Sequence, residues 1–419
     1  MLLTANRNFR LLFSASAVSN LGDGISLLAF PWLATLITRD PVMIGAVAAA
    51  GRLPWLLFSI PAGVITDRTD RRRLMIQADL FRLFLTLGIV GVILSGPMLP
   101  LPESAPQAAT LVLGLAAGAF LLGGAEVIRD NAAQTLLPRI VHSDELERAN
   151  GQLWSVEQIM GQFIGPPLAG FLIALAIPIP FMADAATFAI AALCIWAIQT
   201  STHRAPRMPE GFWRETSEGI RWLLDHRLIL SFAILLGFMN MIGTAEITIL
   251  VIYSQEILEL SAANYGILLT AGAAGGVAGG LFCPAIIRRI GSASAITVAL
   301  ALFPVAPFLI WWTSSPYVVA VALFLQMFAA LMWNIVTVSL RQRTIPDELL
   351  GRVNSLYRFF GWGMMPIGAL LGGLIVSLGE PELGRIAAIR LPYLLTGVFS
   401  VVLLLSGIFL LRLPQQLRT

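Results

Sequence analysis

Residues 63–73 read GVITDRTDRRR, a short and strongly charged segment that lies between two long apolar runs. These runs cover about residues 41–66 and about residues 74–96. An α-helix needs about 20 apolar residues to cross the hydrocarbon core of a bilayer, and both runs are long enough. The segment therefore predicts two consecutive transmembrane helices whose connecting loop carries a basic cluster.

The same alternation of apolar runs and polar connections extends along all 419 residues. Hydrophobic residues make up 57% of the chain and charged residues 12%, and the mean hydropathy is +0.81. About a quarter of the residues of a soluble domain are charged, so this composition excludes a soluble protein. It predicts an all-α integral membrane protein with twelve transmembrane helices, named here spans 1 to 12. Their expected limits are about 9–37, 41–66, 74–96, 107–137, 145–176, 179–200, 228–254, 262–287, 291–314, 316–343, 348–377 and 389–411.

A long polar stretch divides the twelve spans into two sets of six. The predicted units are an N-terminal half at 1–200, a cytoplasmic linker at 201–227 and a C-terminal half at 228–419. Between Trp213 and Leu224 apolar residues recur at helical spacing, which predicts an amphipathic helix lying on the membrane surface. A linker helix with one packed face fits the same pattern equally well.

The two halves carry related sequences. Residues 144–150, DELERAN, open span 5, and residues 347–354, DELLGRVN, open span 11 with one residue inserted. Such an echo predicts a duplicated six-helix unit. Transporters built from repeats of this kind place a central site between the halves, near the bilayer midplane.

Arginine placement predicts the orientation of the chain. Arginine supplies all 27 basic residues, and with a cytoplasmic N-terminus twenty of them fall in cytoplasmic segments and three in external loops. Because positive residues are retained on the cytoplasmic side, both termini are expected there. We expect a multi-pass protein of a bacterial-type cytoplasmic membrane, with the first apolar run retained as span 1.

Several kinds of chemistry are excluded or disfavoured. The absence of lysine excludes a lysine-containing phosphate-binding loop and Schiff-base catalysis. Cys194 and Cys283 lie in apolar runs and are expected to be free thiols, while His142, His203 and His226 lack the spacing of a metal site. We expect no cofactor, no metal, no nucleic-acid partner and no enzymatic activity, and a monomer in the lipid bilayer.

The segment after span 2 has a specific pattern: Gly63, then the pair Asp67 and Arg68, then a basic cluster that begins at Arg71. It resembles the loop 2–3 signature of the major facilitator superfamily. Asp70 stands where that signature has a glycine, and with the arginine triplet this is similar to the superfamily branch of macrolide-efflux and enterobactin-export proteins. The resemblance covers the whole chain in its twelve spans and repeats, and it implies the major facilitator fold.

The resemblance also implies a cytoplasmic gate that latches the two halves. Asp67 ends span 2, where the helix dipole disfavours a carboxylate, so it needs a positive partner such as Arg71. Gly63 is expected to let another helix approach closely. The resemblance adds Arg68 to this gate and suggests Asp130 of span 4 as the partner of Arg71.

Span 5 contains GQFIGPPLAG at residues 161–170. Small residues four positions apart form a smooth stripe for helix contact, and the two prolines are expected to bend the helix. This is similar to the glycine-proline signature of antiporters in the superfamily, although Ala169 replaces a glycine and Gly151 is one residue out of register. It favours export over import. The motif residues are Gly161, Gly165, Pro166 and Gly170.

Charged residues inside spans are costly and mark transport pathways. Asp23, Arg52, Glu126 and Glu157 lie on four spans of the N-terminal half at about 20 Å from their cytoplasmic ends. Because one arginine cannot neutralise three acids, we expect at least one of the acids to carry the coupling proton. Each acid could instead be a static ion-pair member that holds helices together.

The remaining intramembrane charges are fewer. Arg82, Arg129 and Asp130 are expected nearer the cytoplasm, and Asp184 is expected to be a solvated cap at the outer end of span 6. In the C-terminal half only Glu246 and Arg358 are charged away from the ends of the spans. Aromatic and methionine side chains there suit flexible amphipathic ligands. The candidate substrate cavity comprises Phe238, Met241, Glu246, Trp333, Tyr357, Arg358 and Trp362.

These patterns together predict a secondary active transporter. It would export a hydrophobic or amphipathic, drug- or siderophore-like small molecule by proton antiport with alternating access. A proton-coupled symporter that imports a small nutrient is the first alternative, and a transporter-like sensor is another. A polytopic membrane enzyme is a third, although no polar loop combines a nucleophile, a base and metal ligands.

The arginine asymmetry predicts the side of the membrane on which each connection lies. A reporter fused after Thr419 and a tag near Pro209 should both be cytoplasmic, while a tag near Ser104 should be external. Accessibility of each tag to an impermeant reagent in intact cells checks this. An external C-terminus would require an odd number of spans and would contradict the twelve-span topology.

Overall fold

The computed structural model describes residues 2–102, 105–142, 145–199 and 212–411. All regular secondary structure in these ranges is helical, and twelve of the described helices are long and apolar enough to cross a membrane. The predicted all-α membrane class with twelve spans is therefore confirmed.

The spans of the N-terminal half begin and end close to their predicted limits. The short helix Leu2–Ala5 precedes them. They are Arg7–Ile37 (span 1), Pro41–Arg68 (span 2), Arg71–Ser95 (span 3), Ala108–Ile140 (span 4), Leu146–Leu175 in three segments (span 5) and Ile179–Trp196 (span 6).

The helix Phe212–Asp225 precedes the C-terminal set. That set consists of Arg227–Glu256 (span 7), Ala262–Ile290 (span 8), Ser292–Leu302 with Val305–Trp312 (span 9), Pro316–Thr344 (span 10), Asp347–Gly363 with Met365–Leu383 (span 11) and Arg385–Leu411 (span 12).

Polar side chains in the connections cap the N-termini of the first three spans. Asn6 and Asp40 accept hydrogen bonds from the first backbone N–H groups of spans 1 and 2, and Pro41 occupies the first turn of span 2. The side chain of Asp70 accepts a 2.8 Å bond from the backbone N–H of Arg73. The acid that stands in place of the signature glycine is therefore the N-cap of span 3.

The chain forms two compact units. The first contains Met1–Arg204 together with Glu259–Thr270, and the second contains Ala205–Leu258 together with Ala271–Thr419. The sequence boundaries assigned all of span 8 to the C-terminal half, whereas its first turns pack within the first unit. A Cβ atom built at Gly266 would lie 2.6 Å from the carbonyl oxygen of Pro166 in span 5.

Span 5 changes its hydrogen-bond pattern in the middle. A π-helical segment, Gln158–Ile164, joins the α-helix Leu146–Glu157 to the α-helix Gly165–Leu175. Pro166 lies in the first turn of the last segment, where a missing N–H costs least. The sequence predicts a bend at the two prolines, and the structure has a π-helical segment directly before them.

The glycines of span 5 contact span 1 closely. A Cβ atom built at Gly165 would lie 2.5 Å from the Cα atom of Gly24, and one built at Gly24 would collide with the backbone of Gly161. Gly170 faces Ala262 of span 8 in the same manner. The small-residue stripe therefore packs backbone against backbone.

Adding one methyl group at this crossing should destabilise the protein. Gly165→Ala should lower the free energy of unfolding by about 1–3 kcal/mol, because two backbones must separate to admit it. Gly114→Ala on span 4 is the matched control, since among the described residues no atom outside the backbone of its own helix lies within 4 Å of its Cβ position. The thermal unfolding midpoints in detergent check this, and equal midpoints for the two variants would contradict the packing argument.

Candidate functional site

The interior of the N-terminal unit holds a group of charged side chains contributed by four spans. Burying an ionised group without a partner is expensive, so such residues are expected to pair with each other. Arg82 and Arg129 are each 2% exposed, and Asp79 and Asp184 are buried as well. We call this group the N-terminal charge cluster; it comprises Asp23, Asp79, Arg82, Arg129, Asp130 and Asp184.

Arg82 of span 3 connects three spans. Its guanidinium group forms an ion pair with Asp23 of span 1 and donates a 3.3 Å hydrogen bond to the hydroxyl group of Ser19. It also lies 3.9 Å from the ring centroid of Phe188 on span 6, a cation–π distance. Arg82 therefore has two neutral partners besides the carboxylate.

Arg129 of span 4 makes the second set of contacts. It donates a 3.2 Å bond to Asp79 of span 3 and a 3.3 Å bond to the backbone carbonyl of Ala15 in span 1. Its remaining nitrogen lies 3.4 Å from the neighbouring Asp130. The arginine thus joins spans 1, 3 and 4 through one buried group.

Asp184 corrects an expectation from the sequence. It was expected to be a solvated cap, but it is 1% exposed. The hydroxyl group of Ser26 donates a 2.6 Å bond to one carboxyl oxygen, and the other oxygen has no hydrogen-bond partner among the described residues. Span 6 reaches this position because Gly22 of span 1 has no side chain; a Cβ atom there would collide with Asp184 and Thr187.

The charge balance of the cluster is unequal. Two arginines face four carboxyl groups, so full ionisation would leave two negative charges without a cationic partner inside the cluster. An unpaired buried carboxylate costs several kcal/mol, which protonation avoids. A carboxyl group of this cluster can therefore either bind a proton or form an ion pair with an arginine.

The structure places the four predicted coupling residues differently. Asp23 is in the cluster, paired with Arg82 and not with Arg52. Glu126 is half-buried, three and four residues before Arg129 and Asp130 and therefore on their face of span 4. Glu157 is exposed and ends the first α-helical segment of span 5, and Arg52 is half-buried in span 2.

Arg82 was expected nearer the cytoplasm than Asp23. It lies eleven residues from the start of span 3, about 16 Å along the helix, whereas Asp23 lies sixteen residues, about 24 Å, from the start of span 1. An extended arginine side chain covers most of that difference, so depth along the helix axis alone did not separate partners from non-partners. Asp79 was missed entirely, although it lies three residues before Arg82 in an apolar span and hence on the same helical face.

The predicted cytoplasmic gate is only partly described. The side chains of Asp67 and Arg68 lie outside the described residues, and Arg71 begins span 3. Among the described residues no atom lies within 4 Å of a Cβ position at Gly63, and the close helix approach expected there stays a prediction. The fifth predicted member, Asp130, is the partner of Arg129 described above.

The neighbouring Arg72 has a structural role of its own. Its guanidinium group donates a 3.1 Å bond to the backbone carbonyl of Ile195 and a second bond to that of Trp196. These carbonyls end span 6, where free acceptors and the helix dipole favour a cation. Arg72 therefore caps span 6 in addition to contributing to the basic cluster.

Two of the candidate cavity residues are part of the core of the second unit. Trp333 is 1% exposed and packs edge-to-face on Phe232 at 5.4 Å, and Tyr357 is 2% exposed. The hydroxyl group of Tyr357 donates a 3.3 Å bond to the backbone carbonyl of Phe232, and Arg341 lies 3.7 Å from its ring centroid. Both side chains have partners inside the unit.

The other cavity candidates are more varied. Phe238 packs edge-to-face on Phe399 at 5.5 Å, and the backbone of Met241 contacts Gly368 of span 11. Trp362 is 37% exposed, and the side chain of Arg358 lies outside the described residues. Glu246 is 3% exposed and accepts a hydrogen bond from Gln326 of span 10.

Comparison with protein families gives a match over nearly the whole chain. Residues 4–408 match the family described as transmembrane secretion effector, within the major facilitator superfamily. The chain is 24% identical to the multidrug efflux pump Tap of Mycobacterium tuberculosis, over 94% of this chain and 92% of that protein. It is 25% identical to the enterobactin exporter EntS of Salmonella choleraesuis, over 100% of this chain and 94% of that protein.

Solved structures resemble the fold at low sequence identity. A point mutant of the nucleoside transporter NupG has a TM-score of 0.75 at 14% identity, covering 96% of this chain and 99% of that one. A bacterial homologue of the iron transporter ferroportin, in its inward-facing state, has a TM-score of 0.70 at 18% identity, covering 95% and 98%. These similarities confirm the predicted major facilitator fold.

Breaking the Arg129 contacts tests whether the cluster holds the N-terminal unit together. Arg129→Gln should lower the free energy of unfolding by about 3–5 kcal/mol, because Asp79 is left buried without its cation. The double variant with Asp79→Asn should recover part of that loss, since the unpaired charge is then removed as well. Unfolding midpoints of the two single variants and the double variant check this. Purely additive losses would show that the two side chains do not interact energetically.

Proposed function

Because the chain belongs to the transmembrane secretion effector family of the major facilitator superfamily, we propose that it exports a hydrophobic or amphipathic small molecule in exchange for protons. The chain is a transporter and not an enzyme, and it is a multi-pass bacterial membrane protein. The proposal adds a direction of transport, a coupling ion, alternating access and cytoplasmic termini.

The observation that carries proton coupling is the ion pair between Asp23 and Arg82 inside a cluster with excess acid. Protonation of Asp23 removes the charge that binds Arg82. The arginine then keeps its contacts with Ser19 and Phe188, which do not depend on that charge. These neutral contacts do not replace a carboxylate as the partner of a buried cation, so protonation of Asp23 favours a rearrangement in which Arg82 changes its partner.

Glu126 belongs to the same proposal. It shares a face of span 4 with Arg129 and Asp130, and it is only half-buried, so water can reach it more readily than the buried Asp79. We assign it the role of passing protons to and from the cluster. Glu157 and Arg52, on the adjoining spans 5 and 2, are secondary members of this pathway.

Export of a drug- or siderophore-like molecule is supported by two kinds of observation. The relatives Tap and EntS are named as a multidrug efflux pump and an enterobactin exporter, which are both exporters. The antiporter-type residues of span 5, Gly161 and Gly165, pack on Gly24, one residue from Asp23. The close crossing of spans 1 and 5 therefore adjoins the proposed coupling acid.

The driving force is sufficient for accumulation against a gradient. One charge that moves through 100 mV releases about 2.3 kcal/mol. At about 1.4 kcal/mol per tenfold change, one proton supports roughly a fortyfold substrate gradient.

The function is tested in two stages. A strain that expresses the protein is first screened against antibiotics, fluorescent dyes and catecholate siderophores for resistance or efflux. The strongest substrate is then used with proteoliposomes, where substrate-induced proton movement is recorded. The wild-type protein should move protons opposite to the substrate; movement in the same direction would instead indicate the nutrient-importing symporter.

Neutralising Asp23 should separate coupling from binding. Asp23→Asn is expected to reduce proton exchange at least tenfold while substrate binding remains measurable. The reason is that an amide, unlike a carboxylate, cannot alternate between pairing with Arg82 and binding a proton. Glu126→Gln should behave similarly. Glu382→Gln, an exposed acid at the end of span 11, is the control and should retain exchange. Full exchange in Asp23→Asn, Glu126→Gln and Glu157→Gln would place the coupling site elsewhere.

A further inference from the structure

Glu246 of span 7 is a buried acid that the N-terminal charge cluster does not include. It lies in the C-terminal unit, nineteen residues after Arg227 and ten before Glu256, so it is about 15 Å from the nearer helix end. The residue is 3% exposed and therefore buried. An ionised carboxylate at this depth requires a cation or several hydrogen-bond donors.

The surroundings of Glu246 provide one donor and no described cation. The amide group of Gln326, in the middle of span 10, donates to one carboxyl oxygen. The other oxygen has no hydrogen-bond partner among the described residues. The hydroxyl group of Tyr393 is committed elsewhere, because it donates a 3.0 Å bond to the backbone carbonyl of Glu246 and not to its side chain.

Thr396 of span 12 lies near the carboxyl group, but among the described residues no hydrogen bond joins the two side chains. Its hydroxyl group donates to the backbone carbonyl of Tyr393 at 3.2 Å, so its own hydrogen is already used. The lone pairs of that hydroxyl oxygen remain available. They suit the O–H group of a protonated glutamic acid and do not suit a carboxylate.

The described charged groups of the surrounding helices lie near the ends of those helices. Those described on spans 7, 10, 11 and 12 lie within the first or last two turns of their helices, whereas Glu246 and Gln326 lie in the middle of theirs. The ion pairs of Arg385 with Glu256 and Glu380 show that the charges at one end are already paired. These described charged residues are Arg227, Glu256, Arg341, Arg343, Glu380, Glu382, Arg385 and Arg390.

We propose that Glu246 is a proton-binding site of the C-terminal unit, distinct from the N-terminal charge cluster. In the conformation described it holds a proton, because its buried carboxyl group has one neutral donor, Gln326, and no described cation beside it. It releases the proton when water reaches the carboxyl group, because only then is the carboxylate solvated. This inference rests on the proposed proton coupling only for its consequence, a second proton available in each transport cycle.

Infrared spectroscopy of the purified full-length protein tests the site without any substrate. A neutral carboxyl group gives a C=O stretching band that a carboxylate lacks. At neutral pH the wild-type spectrum should contain a component that Glu246→Gln removes and Glu382→Gln retains. The component should disappear reversibly as the buffer is made alkaline, and Gln326→Leu should shift its frequency because the amide hydrogen bond is lost.

The possible results separate this inference from the proposed function. Identical spectra for the wild type and Glu246→Gln would show that Glu246 is ionised and would overturn the proposal. A band that persists up to the pH at which the protein unfolds would also overturn it, since the acid would then be a permanently neutral structural group. A titrating band in a protein that moves no protons with substrate would instead refute proton antiport and leave the binding site intact.

Discussion

The arrangement of the N-terminal unit depends on one physical constraint: a charge inside hydrocarbon must find its partner within the protein. Arg82 and Arg129 satisfy it by contacting carboxylates, a hydroxyl group, a backbone carbonyl and an aromatic ring on neighbouring spans. Because lipid supplies no hydrophobic drive between helices, these polar contacts and close packing decide which spans adjoin each other. The groups that hold the helices together are therefore the same groups that are able to bind protons.

Close packing makes this polar interior possible. Gly22 of span 1 leaves room for the side chains of Asp184 and Thr187 of span 6, and Gly24 admits the backbone of span 5, on either side of Asp23. At the first contact, Ser26 of span 1 donates a hydrogen bond to Asp184. At the second, span 1 crosses the π-helical segment of span 5. A larger residue at either glycine would separate the helices and let lipid or water reach the cluster. The glycine pattern and the charged residues thus form one functional arrangement.

The sequence was sufficient for the class of fold, the number of spans and the family resemblance, because apolar length and arginine placement are local properties. It also identified Asp23 and Glu126 as intramembrane acids. It could not identify their partners, since pairing depends on rotation of each helix about its axis and on side-chain reach. Asp79 was missed although the sequence shows it in an apolar span, three residues before Arg82, whereas the burial of Asp184 depends on the packing of span 6 against span 1. Trp333 and Tyr357 were candidates for a cavity, but their contacts lie in the core of the second unit, which composition alone does not distinguish from a cavity wall.

Asp184 and Glu246 have the same local arrangement in different units. In each residue one carboxyl oxygen accepts from a neutral side chain, and the other has no hydrogen-bond partner among the described residues. They differ in their electrostatic surroundings, because Asp184 belongs to a cluster that contains Arg82, whereas no described cation is in contact with Glu246. An acid near an arginine can lose its proton when the cation changes partner. An acid without a cation can lose it only to water, so its proton release depends on hydration of the helix interior. Two acids of this kind would respond to different steps of one transport cycle, the first to rearrangement of an ion pair and the second to the opening of a water path.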